Sequence, residues 1–526
     1  MDGKLEVERK YRLPGGFALP DLTGIGGVAT VGEPDDQRLD AVYYDTESLR
    51  LARGRVTLRR RSGGNDAGWH LKRPAGGERS ELQVPATSRH HTPPRAVADQ
   101  VRALTRGEEL IPVARIRTHR VERALRAADG STVALVADDR VRTESLRGGA
   151  ARKWHELEIE LVDGPSEALD RLDAALREAG ARPAKSPSKL AEALGRDYPA
   201  PQRSRPRGSK AHRVLAAYLA TQRDALVEQD PHVRDGDAEA VHKMRVATRR
   251  LRSTLRSFAP VLSGDLDALH DEIKWVTGLL GEVRDCDVMA ERLAGLVADE
   301  PAELVVGPVP ARITSLLAKR AAEAREALTV GLDSRRYTTL LGDIDALVAR
   351  TAEPMTSPRR ISRRLAKAGP ARCAGAGPAK ALMRCARRAV RRADARLASA
   401  GRARARAAER PPAPGEPTAD ERLHAARKAY KRARYAVELV VPLAGKRATR
   451  LAGRLTGMQD VLGAHQDALV TCDLLRGYAL RAHAAGENAF TYGLLHARTD
   501  EHGRQALSAL PATSRRARRA ERALFG

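Results

Sequence analysis

Aromatic side chains are scarce in this chain of 526 residues and make up only 3% of it. Their scarcity argues against stacking platforms for unpaired bases. The four cysteines, Cys286, Cys373, Cys385 and Cys472, are far apart and include no C-x-x-C pair. Neither a disulfide framework nor a cysteine zinc site is therefore expected.

Long apolar runs and nucleotide-binding motifs are also missing. No stretch approaches the roughly 18–20 apolar residues that span a bilayer, and the charged N-terminus does not resemble a signal peptide. We therefore expect no membrane contact and a cytoplasmic location. The phosphate loop G-x-x-x-x-G-K-[ST] is absent from the sequence, which argues against a P-loop enzyme.

Positive charge is abundant and unevenly distributed. The chain has 93 Lys and Arg against 67 Asp and Glu, a net charge of +26. Residues 1–200 hold 34 bases and 31 acids, whereas residues 201–526 hold 59 bases and 36 acids. This predicts that the C-terminal part binds a polyanion. The stretch 198–210 contains three prolines, one glycine and two serines, and we interpret it as a linker after a first domain at 1–197.

Short β-like runs separated by turn residues recur before the linker and predict an antiparallel sheet that closes on itself. Alternate residues of a strand share one face. On that basis a set of acids shares one face of the first and last runs: Glu6, Glu8, Glu156, Glu158 and Glu160. A set of bases alternates in the same way along the middle runs: Arg59, Arg61, Lys72, Arg79, Arg115 and Arg117.

Two interpretations of these charged faces are open. A solvated outer face would be expected to mix Thr, Ser, Gln and Lys. In a closed lumen the like charges would repel one another unless a ligand neutralised them. Basic walls suit a multiply charged anion, and clustered carboxylates suit a hard cation such as Mg²⁺ or Mn²⁺. We therefore favour a lumen that binds metal and polyphosphate together.

The first part resembles the CYTH, or triphosphate tunnel metalloenzyme, family over about residues 3–197. The resemblance rests on a series of motifs that occur in the family's order. They are the opening Glu6-x-Glu8-x-Lys10, YYDT, LARGRVTLRRR, WHLKRP, ELEIEL and SPSKL. It implies an eight-stranded antiparallel tunnel that hydrolyses triphosphates with a divalent metal. Rival substrates within this resemblance are thiamine triphosphate and, for a class IV adenylate cyclase, ATP.

The resemblance also implies roles for individual residues. The catalytic set is Lys10, Glu6 and Glu8. The substrate-binding set is Arg59, Arg61, Lys72, Arg79, Arg117 and Lys189. The metal-binding set is Glu6, Glu8, Asp139, Glu156, Glu158 and Glu160. Either Asp138 or Asp139 should face the lumen, with the alignment favouring Asp139, and Leu135 stands where many relatives carry an acid.

The part after the linker is an internal duplication with an offset of 182 residues. The two matching stripes on predicted helices are His242, Arg245, Arg249 and Arg252, and His424, Arg427, Lys431 and Arg434. Leu280-Gly281 and Asp285 recur at the same offset as Leu462-Gly463 and Asp467. We expect a helical domain at 211–512 with two related halves, about 211–300 and 380–510, followed by a basic tail at 513–526.

This region resembles the CHAD family of α-helical domains over about 211–510, which implies binding of inorganic polyphosphate. The whole chain is then expected to be an α+β multidomain protein, with a closed antiparallel β-barrel tunnel followed by all-α duplicated bundles. The alternative is a non-catalytic polyphosphate-binding or granule-associated protein. Weak, non-specific binding of nucleic acid is expected for so basic a domain.

Overall fold

The chain forms two compact units, Met1–Ser204 and Arg205–Gly526, which are described separately. The computed structural model describes residues 4–75, 78–85, 92–186, 188–199, 208–352, 377–410 and 415–526. Most of the predicted linker, residues 200–207, lies outside these ranges.

The first unit contains ten strands in one sheet. They are β1 Lys4–Arg12, β2 Thr30–Val31, β3 Asp35–Asp45, β4 Thr57–Ser62, β5 Gly68–Ala75, β6 Glu78–Pro85, β7 Ile111–Arg126, β8 Thr132–Ser145, β9 Arg152–Leu161 and β10 Arg182–Pro183. Four helices accompany them: α1 Arg50–Arg53, α2 Arg95–Thr105, α3 Ser166–Glu178 and α4 Lys189–Leu194.

Eight strands pair in a ring, in the order β1, β6, β5, β4, β3, β7, β8, β9 and back to β1, and every pairing is antiparallel. The first residues of β1, 4–6, pair with β6, and residues 7–12 pair with β9. No residue of β1 pairs with both, so the ring is not a continuously hydrogen-bonded cylinder. The predicted class is confirmed, but "closed barrel" describes the sheet only loosely.

Alternation of side chains separates the two faces of this sheet. Outward residues such as Leu157 and Ile159 pack with Leu172 and Leu176 of α3, and all four are fully buried. On the other side of the ring, Leu58, Trp69 and Leu71 pack with Val97 and Val101 of α2. Burial of these apolar sets determines strand register, because a one-residue slip would move them to the opposite face.

Helix α4 packs on the inner face of the sheet. Its Leu190 and Leu194 pack in one core cluster with Ile116 of β7 and Val141 of β8. The helix begins after Ser188, whose side-chain oxygen accepts a hydrogen bond from the backbone N–H of Ala191, which satisfies one of the free donors of the first turn. This cap fixes the first helical residue, Lys189, next to the lumen.

The second unit is helical throughout its described residues. Its helices are α5 Lys210–Arg234, α6 Ala238–Phe258, α7 Leu266–Ala298, α8 Val309–Asp333, α9 Arg335–Ala352, α10 Pro378–Glu409, α11 Ala419–Ala444, α12 Lys446–Ala484, α13 Phe490–Ala506 and α14 Leu510–Phe525. Side chains cap several helix starts, including Asp237 before α6 and Thr418 before α11, where Thr418 and Glu421 form a capping box. No helix in the described part of the chain is long and apolar enough to cross a membrane.

In the described residues the helices form two consecutive sets of five, α5–α9 and α10–α14, and the first set continues to Ala352, beyond the predicted end of the first half at about residue 300. The predicted tail at 513–526 is the helix α14, whose Ala517 and Ala520 are buried in the core of the second half. In the sequence, the many arginines of this segment make its short stripe of buried alanines difficult to recognise. Within the unit, α6 lies against α11 and joins the two halves.

Candidate functional sites

Three carboxylates converge on the inner face of the first unit. One oxygen from each of Asp139, Glu156 and Glu158 lies within 4.8 Å of the others. Asp139 on β8 pairs in register with Glu156 on β9, and Glu158 follows two residues later on the same face. Asp139 is fully buried and Glu156 is 6% exposed. Such a group is costly unless positive charge lies close to it.

Three cations supply that charge. The ammonium nitrogen of Lys189 lies 2.9 Å from Asp139 and 2.8 Å from both Glu156 and Glu158. Arg120 on β7 donates to Asp139 at 2.8 Å and to Glu158 at 2.8 Å. Lys10 on β1 donates to Glu158 at 2.7 Å and lies 3.2 Å from Glu8. We call these three cations and the three carboxylates, Asp139, Glu156 and Glu158, the carboxylate cluster.

The pKa shifts in the carboxylate cluster follow from this pairing. Burial alone would raise the pKa of Glu158, but Lys10 and Lys189 outweigh it and hold that pKa well below its usual range. Asp139 behaves in the same way: burial opposes ionisation, yet Lys189 and Arg120 lower its pKa. Asp139 and Glu158 are therefore ionised at neutral pH.

A second group of cations lies on β4 and β5, with fewer acids beside it. Arg59 donates to the Tyr43 hydroxyl at 3.4 Å, and Lys72 lies 3.4 Å from Glu81. Burial and the positive charge of Arg59 lower the pKa of Arg61 to about 9. The Nε atoms of Arg59 and Arg61 are buried without a hydrogen-bond partner in the described residues. Unmatched buried donors and a lowered guanidinium pKa are features of a site that an anion would stabilise.

His70 shares Glu81 with this basic group. Its Nδ1 lies 2.8 Å from the Glu81 carboxylate and its Nε2 lies 2.8 Å from the carbonyl oxygen of Asp66. Burial and the neighbouring Arg59 lower the pKa of His70, against the effect of Glu81. Both ring nitrogens face acceptors, and the imidazole holds the Glu81 carboxylate between itself and Lys72.

The second unit repeats one ion pair in both halves. Arg245 on α6 donates to Asp285 on α7 at 2.9 Å, and Arg427 on α11 donates to Asp467 on α12 at 3.3 Å. The recurring glycine lies beside this arginine in both halves. A Cβ added at Gly281 would lie 3.8 Å from the Arg245 Nε, and one added at Gly463 would lie 3.5 Å from the Arg427 Nε, both ordinary contact distances.

Four cations gather where α6 and α11 meet: Arg245, Arg249, Arg427 and Lys431. We call them the central basic cluster. Burial and the charges of Arg249 and Arg427 lower the pKa of Lys431 to about 7. Burial and the charges of Arg245 and Arg427 also lower the pKa of Arg249, against the effect of Tyr435. Mutual repulsion of this kind is relieved when an anion binds.

The other predicted residues of the two stripes lie around this cluster. His242 is exposed and His424 is half-buried, and desolvation with nearby cations lowers both pKa values, so both imidazoles are neutral at pH 7. Arg434 lies 3.4 Å from Glu438. Its counterpart Arg252 has a buried Nε with no hydrogen-bond partner in the described residues.

Family models match both units. The CYTH domain model matches residues 4–192, and the CHAD domain model matches residues 217–476. The chain belongs to the proteins that carry a CYTH domain followed by a CHAD domain.

One similar protein matches nearly the whole chain, and two solved structures match more than half of it. Uncharacterized protein Rv2226 of Mycobacterium tuberculosis strain H37Rv is 34% identical over 521 residues, covering 94% of this chain and 92% of that protein. PptA from Streptomyces chartreusis is 21% identical, with a TM-score of 0.44, and the match covers 58% of this chain and 100% of that one. The CHAD domain from the plant Ricinus communis is 27% identical, with a TM-score of 0.41, over 60% of this chain and 96% of that domain.

The CYTH unit brings together most of the residues that the sequence singled out. Of the Asp-Asp pair, Asp139 faces the lumen, while Asp138 faces outward and lies 2.6 Å from His155. Glu8 lies beside Lys10 and pairs in register with Glu160. Leu135 pairs in register with Glu160 and shares the inward parity of Asp139.

The backbones of Glu6 and Arg79 pair with each other in the CYTH ring. Their side chains lie outside the described residues. Their predicted roles stay predictions.

The prediction for Arg117 is wrong. Its side chain is 58% exposed and lies 3.5 Å from Asp40 on the outer face of the sheet, beside Arg115. Strand β7 carries arginines on both faces, and the sequence alone favoured the wrong parity. The lumen arginine is Arg120, three residues further along, opposite Asp139. Aligning β7 with β8 so that an arginine lies opposite Asp139 would have identified Arg120.

Tyr43 is a second lumen residue that sequence reasoning missed. It belongs to the YYDT motif, where its neighbour Tyr44 packs outward against Trp69 with ring centroids 5.1 Å apart. Burial would raise the pKa of Tyr43, but Arg59 and Lys189 outweigh it, and the net direction is downward.

The shifts of Asp139 and Glu158 predict acid sensitivity of the CYTH unit. Because their folded pKa values are lowered, they stabilise the fold above the pKa values of the unfolded chain. That stability is lost as pH falls through the folded values. In chelator, the urea midpoint of the unit should fall between about pH 5 and pH 2. Asp139→Asn should lower the midpoint at neutral pH and flatten its acid dependence.

Trp69 and Trp154 lie in the CYTH unit and report its unfolding by fluorescence. Trp275→Phe removes the tryptophan of the other unit and serves as the common background. An acid dependence of Asp139→Asn as steep as that of the background protein would contradict the charge pairing described above.

Proposed function

We propose that the CYTH unit is a divalent-metal-dependent triphosphatase that hydrolyses inorganic triphosphate or short polyphosphate. The observation that carries the proposal is the shared inner face. The carboxylate cluster occupies one side of it, and the basic group of Arg59, Arg61 and Lys72 occupies another. A metal–polyphosphate ligand needs both kinds of wall.

The donor set fits a hard divalent cation. Asp139, Glu156 and Glu158 offer oxygens within 4.8 Å of one another, and carboxylate oxygens suit Mg²⁺ or Mn²⁺. These three residues would hold the ion, with Glu8 and Glu160 on the adjoining strands as further acids. A bound ion would supply charge neutralisation at phosphate oxygens and a lowered pKa for a bound water.

The chain's own cations would bind and orient the phosphates. Arg59 and Arg61 present guanidinium donors, which match phosphate oxygens bidentately. Arg120 donates to Asp139 and Glu158 on the inner face and would contact substrate from the same face. Lys10, held by Glu158 and Glu8, would neutralise charge on the leaving group. Such fixed charges act mainly by positioning and electrostatic stabilisation.

A non-catalytic receptor for polyphosphate ends is the second candidate. It is favoured by the position of Lys189, whose ammonium group already lies within 2.9 Å of all three clustered carboxylates. A protein that retained this internal cation would bind anions without a metal.

We also propose that the CHAD unit binds inorganic polyphosphate through the central basic cluster. Polyphosphate is a flexible chain of charge without bases, which agrees with the scarcity of aromatics. The two duplicated halves present equivalent cations next to each other, so one chain can contact both and gain from effective concentration.

Asp139→Asn is expected to abolish metal-dependent phosphate release from inorganic triphosphate, because it removes a central carboxylate of the cluster. Asp138→Asn is the matched control, since it makes the same chemical change on the adjacent, outward residue. Mn²⁺ affinity should fall in the first variant and not in the second. Equal rates for Asp139→Asn and the wild type would exclude the cluster as the metal site.

Arg120→Ala and Arg117→Ala test which β7 arginine contacts substrate. We expect Arg120→Ala to reduce kcat/KM by at least about tenfold, equivalent to about 1.4 kcal/mol of lost stabilisation. Arg117→Ala should leave kcat/KM close to that of the wild type, since its side chain faces away from the lumen. The reverse order of effects would refute the assignment of the faces.

For the CHAD unit, alanine at Arg245, Arg249, Arg427 and Lys431 should remove most binding of long-chain polyphosphate by the full-length protein. Binding is measured in chelator so that hydrolysis does not interfere. Wild-type affinity should fall steeply with salt, and polyphosphate should outcompete duplex DNA of matched charge at about 150 mM salt. Unchanged affinity of the fourfold variant, or preference for DNA, would overturn the proposal.

A further inference from the structure

The two duplicated CHAD halves differ at several equivalent positions, including one pair where the sign of the charge is reversed. Residue 256 on α6 and residue 438 on α11 are related by the offset of 182, but one is Arg256 and the other is Glu438. Their neighbours are equivalent arginines. Arg250 corresponds to Arg432, and Arg252 corresponds to Arg434. The central basic cluster therefore has two flanks of opposite character.

On one flank the charges are neutralised within the protein. Glu438 lies 3.3 Å from Arg250 of the other half and 3.4 Å from Arg434 of its own helix. Both guanidiniums also lie over the ring of Tyr435, at 5.6 Å and 4.9 Å from its centroid. The flank is a closed network of two cations, one anion and one aromatic ring.

The opposite flank has no such acid at its centre. The Ser253 hydroxyl donates to the backbone oxygen of Arg432 at 3.4 Å, so α6 and α11 touch there. Arg256 stands where the first flank has its glutamate, close enough to Arg252 and Arg432 to lower the pKa of each, in addition to the effect of burial.

Helix α10 adds further positive charge to this second flank. Arg392 and Arg396 are exposed and act on Arg432 in the same direction as Arg256. The five arginines form a group that we call the open flank: Arg252, Arg256, Arg392, Arg396 and Arg432. None of their side chains has a hydrogen bond or ion pair within the described ranges of the chain. The nearby acid Asp271 has a side chain that is 73% exposed and hydrogen-bonds to His270.

We propose that the open flank is a second phosphate-binding subsite, through which a long polyphosphate chain leaves the central basic cluster in one direction only. The inference rests on the proposed polyphosphate binding by the CHAD unit. On the opposite flank Glu438 pairs with Arg250 and Arg434 and offsets one of their two charges, so that flank attracts the chain less. The bound chain would therefore extend from the central basic cluster towards one half only, although the two halves are related and the two ends of polyphosphate are alike.

Charge-reversing substitutions at Arg256 and Glu438 test the inference in the full-length protein. Arg256→Glu should weaken binding of long-chain polyphosphate about tenfold and lower the slope of log affinity against log salt by about one or more. Glu438→Arg should strengthen binding and steepen the slope. Short triphosphate, which cannot reach beyond the central cluster, should respond much less to either change.

Two further variants make the result decisive. Arg515→Glu, on the exposed face of α14, makes the same charge change as Arg256→Glu and should leave affinity near that of the wild type. The double variant Arg256→Glu with Glu438→Arg moves the reversed charge to the other flank, while Arg392 and Arg396 stay where they are, so it should recover part of the affinity that Arg256→Glu loses. Circular dichroism establishes that each variant is folded.

The outcomes separate the two proposals. Binding by the wild type with equal losses in Arg256→Glu and Arg515→Glu would overturn the open flank and leave polyphosphate binding standing. Failure of the double variant to recover affinity, when it is folded, would also overturn the open flank. Absence of polyphosphate binding by the wild type would overturn both.

Discussion

The CYTH unit depends on the neutralisation of charge inside a ring of strands. Buried carboxylates at Asp139, Glu156 and Glu158 are tolerated because Lys189, Arg120 and Lys10 lie within hydrogen-bonding distance of them. Every strand that contributes must therefore hold its register, since a slip of one residue would bury unpaired charge. The apolar outer faces under α2 and α3 enforce that register. The fold and the candidate site therefore depend on each other. The helices outside the ring stabilise the strand register that keeps the charged side chains paired inside it.

The CHAD unit also holds like charges close together and balances them in part. Its cations repel one another on α6 and α11, and acids from the next helices, Asp285 and Asp467, partly balance them. Duplication brings two copies of this arrangement face to face, which concentrates positive charge at the junction. Divergence after duplication then altered it locally, and the exchange of arginine for glutamate between positions 256 and 438 is the clearest case. Both units thus hold clusters of like charge that are partly balanced within the protein, and the proposed phosphate-rich ligands rest on this feature.

Much of this could be predicted from the sequence, because charge alternation, motif order and a constant offset are local or one-dimensional signals. The acids of β9, the choice of Asp139 over Asp138 and the equivalence of Asp285 with Asp467 are of this kind. Arg120 could not be separated from Arg117 by pattern alone, since β7 carries arginines on both faces and its pairing with β3 shifts register between Tyr43 and Tyr44. The contact of Lys189 with three carboxylates depends on the packing of α4 inside the ring. The sequence did not distinguish a packed last helix from a frayed tail at residues 513–526, because the arginines there outnumber the small residues that bury the helix.

The central claim is that the ring of strands assembles a metal-dependent site for a triphosphate. Its most direct test is the release of phosphate by the full-length protein from inorganic triphosphate, ATP and thiamine triphosphate, each with Mg²⁺, with Mn²⁺ and with chelator. The account predicts release that requires metal and is fastest with inorganic triphosphate. Absence of release from all three substrates with either metal would contradict it.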